Sequence, residues 1–164
     1  MQSASLPTHL EADAASLLQR RISDMLYRLI YASRSCAFAD HDLSEILEWS
    51  RAHNPEMGVT GVLCLLDGTY IEHLEGEEST VKSLFENIKH DHRHRDVTIL
   101  DQRVIVRRAY PDWSLALRIW DERTKAIFRS FSPGQNLDLY KSDPSTSAPL
   151  VKALTRTENW IFQP

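Results

Sequence analysis

Tyr31, Glu72 and Asn54 are the side chains best equipped to do chemistry together in this chain. On a strand, residues two apart share a face. Tyr31 therefore goes with Leu29, Tyr70 and Glu72 go with Leu74, and Ile71, His73 and Glu75 take the opposite side. If both stripes face one layer of helices, a phenol and a carboxyl meet beneath it. Asn54, at the end of a helix, closes the group. Such a set can share a proton or hold a ligand by hydrogen bonds. The plainer alternative is a core tyrosine satisfied by a neighbour. A second cluster, His90-Asp-His-Arg-His94, invites a metal. Its spacing puts His90 and His94 on one face of a helix end with no evident third ligand for zinc. Protonated histidines also suit a helix C-terminus, so a solvated cap is the better reading. No Gly-rich phosphate loop is present, Ser114 lacks a nucleophile-elbow context, and Cys64 falls in an apolar run.

The patterned elements begin at Leu26. Leu26–Ser33 reads as a strand. Asp42-Leu-Ser-Glu45 resembles a capping box that opens a helix to about His53, with Leu43, Ile46, Leu47 and Ser50 inward. Asn54-Pro55 ends it. Val59–Leu66 is nearly all apolar, as in a strand buried on both faces. Asp67-Gly68 predicts a hairpin into Thr69–Glu75. Gly76 is expected to break that strand, and Ser79 to cap a second helix with Val81, Leu84, Phe85 and Ile88 on its inner face. Val97–Val106 forms a long strand and Trp113–Ile119 a last one. The order β-α-β-β-α-β-β implies a ferredoxin-like α+β sandwich, a mixed sheet of about five strands with two helices on one face.

Residues 1–25 read as a weakly helical extension, with Leu10, Ala14, Leu17, Leu18 and Ile22 roughly on one face. Residues 26–118 form the core, and 119–164 an accessory helical tail. The 164 residues carry a net charge of −4. That argues against a nucleic-acid binder relying on a broad basic surface. No run approaches the ~20 apolar residues of a membrane span. Cys36 and Cys64 cannot make a disulfide framework, so a reducing cytoplasm is expected.

Taken together, several segments resemble the BLUF family of blue-light sensors that use FAD. They are Leu29-Ile-Tyr31-Ala-Ser, Ala52-His-Asn54-Pro-Glu-Met-Gly-Val-Thr60-Gly61-Val-Leu, Leu74-Glu75-Gly76, Asp91-His-Arg93-His94 and Pro111-Asp-Trp113-Ser114. The resemblance spans about Leu26 to Leu117. It implies a flavin between the two helices, FAD by expectation, with FMN or riboflavin also tolerated. Ile46 and Ile88 would be the apolar jaws around its ring, with Ser50 and His53 beside them. Asn54 would read the carbonyl and imide edge. Asp91, Arg93 and His94 would meet the ring edge and the ribityl-phosphate, near which Asn87 stands where some members carry a basic residue.

Tyr31 matches the family's photochemical tyrosine, which lends an electron and a proton to the light-excited flavin and takes them back. A neighbouring glutamine changes orientation or tautomer meanwhile, leaving a new hydrogen bond and a red-shifted band. At that position this chain has Glu72. Ionised, it is acceptor-only; protonated, it offers one donor and one acceptor. Burial should raise its pKa above the ~4.3 reference, so an altered or pH-dependent photocycle is expected. Trp113 is kept, but Leu115 stands where many members carry a methionine that relays the change to the sheet edge. His73 replaces a frequent aromatic.

The resemblance implies a sensor that is not an enzyme. Residues 119–164 leave no space for a cyclase or phosphodiesterase domain. Its signal would pass to a separate output protein, a phosphodiesterase of cyclic diguanylate or a response-regulator-like protein, with self-association into a homo-oligomer. The alternative is a degenerate, light-insensitive interaction module with weak or no flavin. A flavin redox enzyme fits less well, since two close helices leave little room for substrate.

Overall fold

The computed structural model describes residues 25–36, 40–119, 121–131 and 144–157, together with Asp13, Ala14, Ser16 and Tyr140. The chain runs β1 (Leu26–Ser35), α1 (Asp40–His53), β2 (Thr60–Leu66), β3 (Thr69–Glu77), α2 (Glu78–His90), β4 (His94–Ile105), β5 (Ala116–Ile119) and α3 (Glu122–Phe131). A 3-10 turn at Pro144–Thr146 then leads into α4 (Ser147–Thr155). The five strands form one sheet in the order β4-β1-β3-β2-β5. β1 is antiparallel to both β3 and β4, β2 is antiparallel to β3, and β5 is parallel to β2. The ferredoxin-like α+β sandwich expected from the order of elements is the observed fold. The leader stripe lies mostly outside the described residues; Asp13, Ala14 and Ser16 are helical and exposed.

The β2–β3 hairpin turns where the sequence asked for it. Asp67 and Gly68 have φ of 49° and 72°, the left-handed pair that matches the twist of the flanking strands. Three local expectations are corrected. Helix α1 starts at Asp40, so Asp42 lies within it and cannot be the N-cap. Helix α2 is capped by Glu77, whose carboxylate accepts the Ser79 and Thr80 amides at 3.0 and 2.9 Å, and Ser79 sits in the first turn. Gly76 does not break β3; it pairs with Tyr27. The fit there is close: a Cβ would lie 3.1 Å from Val81 Cγ2 and 3.3 Å from the Gly58 carbonyl, so its neighbours would have to give way by a few tenths of an ångström. The last strand is also shorter than expected, because Trp113 to Leu115 serve as its approach, where the Trp113 carbonyl accepts Gly61 N–H at 2.8 Å.

Both faces of the sheet are covered. On the front, α2 buries Leu29, Tyr31 and Leu74 against Val81, Leu84 and Phe85, and α1 packs Leu47 onto Leu63, Leu115 and Leu117. On the back, Ile30, Val62, Cys64 and Ile71 meet Phe128 of α3 and Leu150, Val151 and Leu154 of α4. The tail therefore belongs to the core and does not stand beside it. Burial of two faces explains why β2 reads as a nearly continuous apolar run.

Truncating the tail's anchor tests this. Phe128, 1% exposed, changed to Ala should cost about 3–5 kcal/mol in urea denaturation of the whole chain. A loss below ~1 kcal/mol would mean that the tail is detachable from the sheet.

Candidate functional site

The front face opens into a cleft of about 240 Å³ between α1 and α2. Its floor is made by paired strands. Tyr31 of β1 and Glu72 of β3 are direct cross-strand partners, and register alone aims both at the helices. The Tyr31 hydroxyl donates a hydrogen bond to Glu72 Oε2. Both side chains are buried, and the Tyr31 ring tilts against Phe85 with centroids 5.3 Å apart. Burial lifts the Glu72 pKa to about 7, although the phenol's hydrogen bond pulls the other way. Burial, with the adjacent carboxyl, holds the Tyr31 phenol well above its ordinary value. Tyr31 thus stays a donor, while Glu72 stands at the balance between acid and carboxylate near neutral pH.

The walls come from helical spacing. Ile46, Trp49 and Ser50 line the cleft from α1, and Leu84, Asn87 and Ile88 from α2. Asn54 follows the last turn of α1, where its backbone carbonyl accepts Val59 N–H at 2.8 Å. Its Nδ2 donates to the Ser114 carbonyl at 2.7 Å. Its Oδ1, buried in a residue 1% exposed, has no hydrogen-bond partner among the described residues. A buried amide oxygen without a donor is costly in a folded chain, so this atom marks where a ligand N–H belongs.

The rim is polar. Arg93 grips Asp91 through Nε at 2.9 Å and Nη2 at 2.5 Å, which holds the Asp91 carboxyl down at about 2. Glu45 of α1 reaches the same guanidinium at 3.6 Å. His94 is pushed down to about 4 by burial and is therefore a neutral imidazole, with Nδ1 2.8 Å from Ser33 Oγ. The histidine cluster thus separates: His94 turns inward, His90 is exposed with Nδ1 on the Glu86 carbonyl at 2.7 Å, and His92 is exposed.

The residues singled out in the sequence largely meet here. Tyr31, Ile46, Ser50, Asn54, Glu72, Ile88, Asp91, Arg93 and His94 all line the cleft. His53 does not. It is exposed, stacked on Trp49 with centroids 4.4 Å apart, and its Nδ1 lies 2.7 Å from the Trp49 carbonyl. Nor do Trp113 and Leu115. Trp113 stacks on Tyr110 at 5.2 Å and packs against the cluster behind the sheet. Leu115 is buried under α1 beside Tyr70 and Leu47. Sequence reasoning missed Trp49 and Leu84. Trp49 was detectable, because it falls three residues after Ile46 on the same helical face. Leu84 was assigned wholly to the core stripe that it also serves.

These residues fit a flavin. Ile46, Trp49, Leu84 and Ile88 supply apolar walls for a flat ring, Asn54 Oδ1 an acceptor for an imide N–H, and Glu72 a group at the floor whose donor count depends on its proton.

The proton on Glu72 has a stability signature. Its folded pKa is raised from 4.5 to about 7, so its contribution is fully present below the unfolded value and is lost as pH rises through the folded one. His94, lowered from 6.5 to about 4, runs oppositely and loses its contribution as pH falls. Comparison with Glu72→Gln isolates the acid. The melting temperature of the ligand-free chain, relative to that variant, should fall steadily between pH 4.5 and pH 7 and level off above. A pH-independent difference would place the Glu72 pKa near its ordinary value.

Comparison with known proteins agrees with this geometry. A family model described as "BLUF: Sensors of blue-light using FAD" matches residues 26–116. The photoactivated adenylate cyclase subunit beta of Euglena longa is 28% identical over 121 residues, covering 73% of this chain and 12% of that protein. The chain thus spans about an eighth of the curated relative. Among solved structures, the photo-activated state of BlsA superposes with a TM-score of 0.75 at 26% identity, covering 82% of this chain and 98% of BlsA. The dark state of the BLUF protein BlrB gives 0.66 at 27% identity, over 81% and 96% of the two chains. The family match over residues 26–116, on the fold shared with BlsA and BlrB, makes the chain a member of the BLUF family of blue-light flavin photoreceptors.

Proposed function

We propose that this chain binds a flavin in the front cleft, FAD by preference and FMN or riboflavin as substitutes, and that the proton on Glu72 is its switch. The observation that carries the reading is the buried hydrogen bond from Tyr31 to Glu72 facing the unsatisfied Asn54 Oδ1. A bound flavin supplies blue absorption and an excited state that takes up an electron and a proton. The chain's residues do the rest. Tyr31 is the buried phenol placed to give and recover them. Asn54 and the apolar walls hold the ring in register with the floor. Glu72 occupies the place of the family's glutamine, and a neutral carboxyl can imitate that amide because it carries one donor and one acceptor. Turning the acid exchanges which oxygen donates into the cleft. A carboxylate has two equivalent acceptors and nothing to exchange, and it repels a ligand carbonyl.

The route outward is short. Asn54 holds the Ser114 carbonyl, the neighbouring Trp113 carbonyl accepts Gly61 N–H, and the Trp113 ring stacks on Tyr110 against the tail. A change at Asn54 therefore bears directly on the approach to β5. The family resemblance supports output to a separate protein, a phosphodiesterase or a response-regulator-like partner, with self-association, and the free Cys36 and Cys64 fit a reducing cytoplasm. No described helix is long and apolar enough to cross a membrane.

The test is an absorption spectrum of the flavin-loaded protein in darkness and under blue light across pH. The light-induced red shift should be present at pH 6 and decline as pH rises through about 7. Glu72→Gln should keep the shift at both ends of that range, and Tyr31→Phe should bind flavin yet lose the shift. A wild-type response that ignores pH would overturn the proton switch. A bound flavin whose band moves at no pH would favour the light-insensitive interaction module.

A further inference from the structure

A second and larger hollow, of about 810 Å³, lies behind the sheet between β1, the β4–β5 connection and α4. Its lining is cationic. Arg107 and Arg108 come from the connection, Lys152 and Arg156 from one face of α4, and Arg28 from β1. Two of these are already engaged. Arg28 is held by Asp101 at 2.6 Å, and Arg108 donates to the Gly58 and Glu75 carbonyls, each at 2.5 Å. Arg107, Lys152 and Arg156 are exposed and have no ion pair among the described residues. In a chain of net charge −4, three such cations around one concavity reverse the local field.

The carboxylate in the lining, Glu75, offsets one of these charges and leaves the hollow cationic, and it is turned to other partners. His73 Nε2 lies 3.0 Å from Oε1, and the Ala109 and Tyr110 amides donate at 2.8 and 3.1 Å to Oε2. Burial opposes its charge, but these hydrogen bonds outweigh burial and hold its pKa below the usual range. His73 adds a separate signal. Its ring belongs to the lining and is 2% exposed, and its Nδ1 has no partner among the described residues. With Nε2–H assigned to the carboxylate, Nδ1 is the ring atom left for a ligand group such as a hydroxyl. The volume is that of a small-molecule site, within the ~300–1,000 Å³ usual for such pockets.

We propose that this hollow binds a phosphorylated small molecule of nucleotide size, its phosphates held by Arg107, Lys152 and Arg156 and a hydroxyl or N–H group received near His73. The site lies across the sheet from the flavin cleft and does not depend on it.

Calorimetric titration of the full chain, saturated with riboflavin so that the cleft adds no phosphate, tests the assignment. The probes are ATP, inorganic triphosphate, adenosine and poly-glutamate. ATP and triphosphate should each bind at one saturable site that weakens with salt. Tighter binding of ATP identifies a nucleotide as the source, and equal binding a phosphate group alone. The double charge reversal Lys152→Glu/Arg156→Glu, at exposed positions, should weaken both by about tenfold or more while leaving the melting temperature unchanged. Arg107→Glu should weaken them independently. Absence of saturable phosphate binding, unchanged affinity in both variants, or binding of poly-glutamate alone would overturn the proposal.

Discussion

The pairing of β1 with β3 is the constraint on which the molecule turns, because it sets a buried phenol opposite a buried carboxyl at the floor of the front cleft. Neither group tolerates burial without a partner, and each is the other's. A slip of one residue would put Tyr31 opposite Ile71 or His73 and leave it and Glu72 on opposite faces of the sheet. The apolar stripes prevent that slip. Leu29 and Leu74 must meet α2, and Ile30 and Ile71 must meet the tail helices, so hydrophobic burial on both faces enforces the register that polar chemistry then uses. At the other end of β3, Gly76 pairs with Tyr27 in the same register and packs closely beneath α2 and the Gly58 loop.

The short-period features were legible in the sequence. Alternation along β1 and β3 was enough to put Tyr31 and Glu72 on one face, and the Asp67-Gly68 turn needed no tertiary information. The helix starts were not legible in the same way. Asp42 offered a capping pattern that the helix overran, and Ser79 yielded to Glu77, since two side chains with similar local chemistry competed and packing chose between them. Gly76 looked like a break because glycine disfavours strands, yet it pairs with Tyr27 and packs closely beneath a neighbouring helix.

The site divided along the same line. Residues on regular elements, such as Ile46, Ser50 and Ile88, fell where periodicity put them. His53, in the last turn of α1, lies outside the lining, stacked on the Trp49 that does line the cleft. Trp113 and Leu115 lie outside the cleft because they precede β5 and are oriented by long-range contacts with Gly61, Tyr110 and α1 that no local pattern encodes. Glu72 is the reverse case. The residue type gave its chemistry at once, while its acid strength needed the burial that only the fold supplies.

The covering of the back face by α3 and α4 means that the evolutionary unit and the folding unit end at different places. The family match stops at residue 116, before β5 is complete and before either tail helix. A chain cut there would expose Ile30, Val62, Cys64 and Ile71 as one contiguous apolar surface on a sheet that has also lost an edge strand. Such surfaces associate with one another. The cover for this surface is thus supplied by residues outside the matched segment.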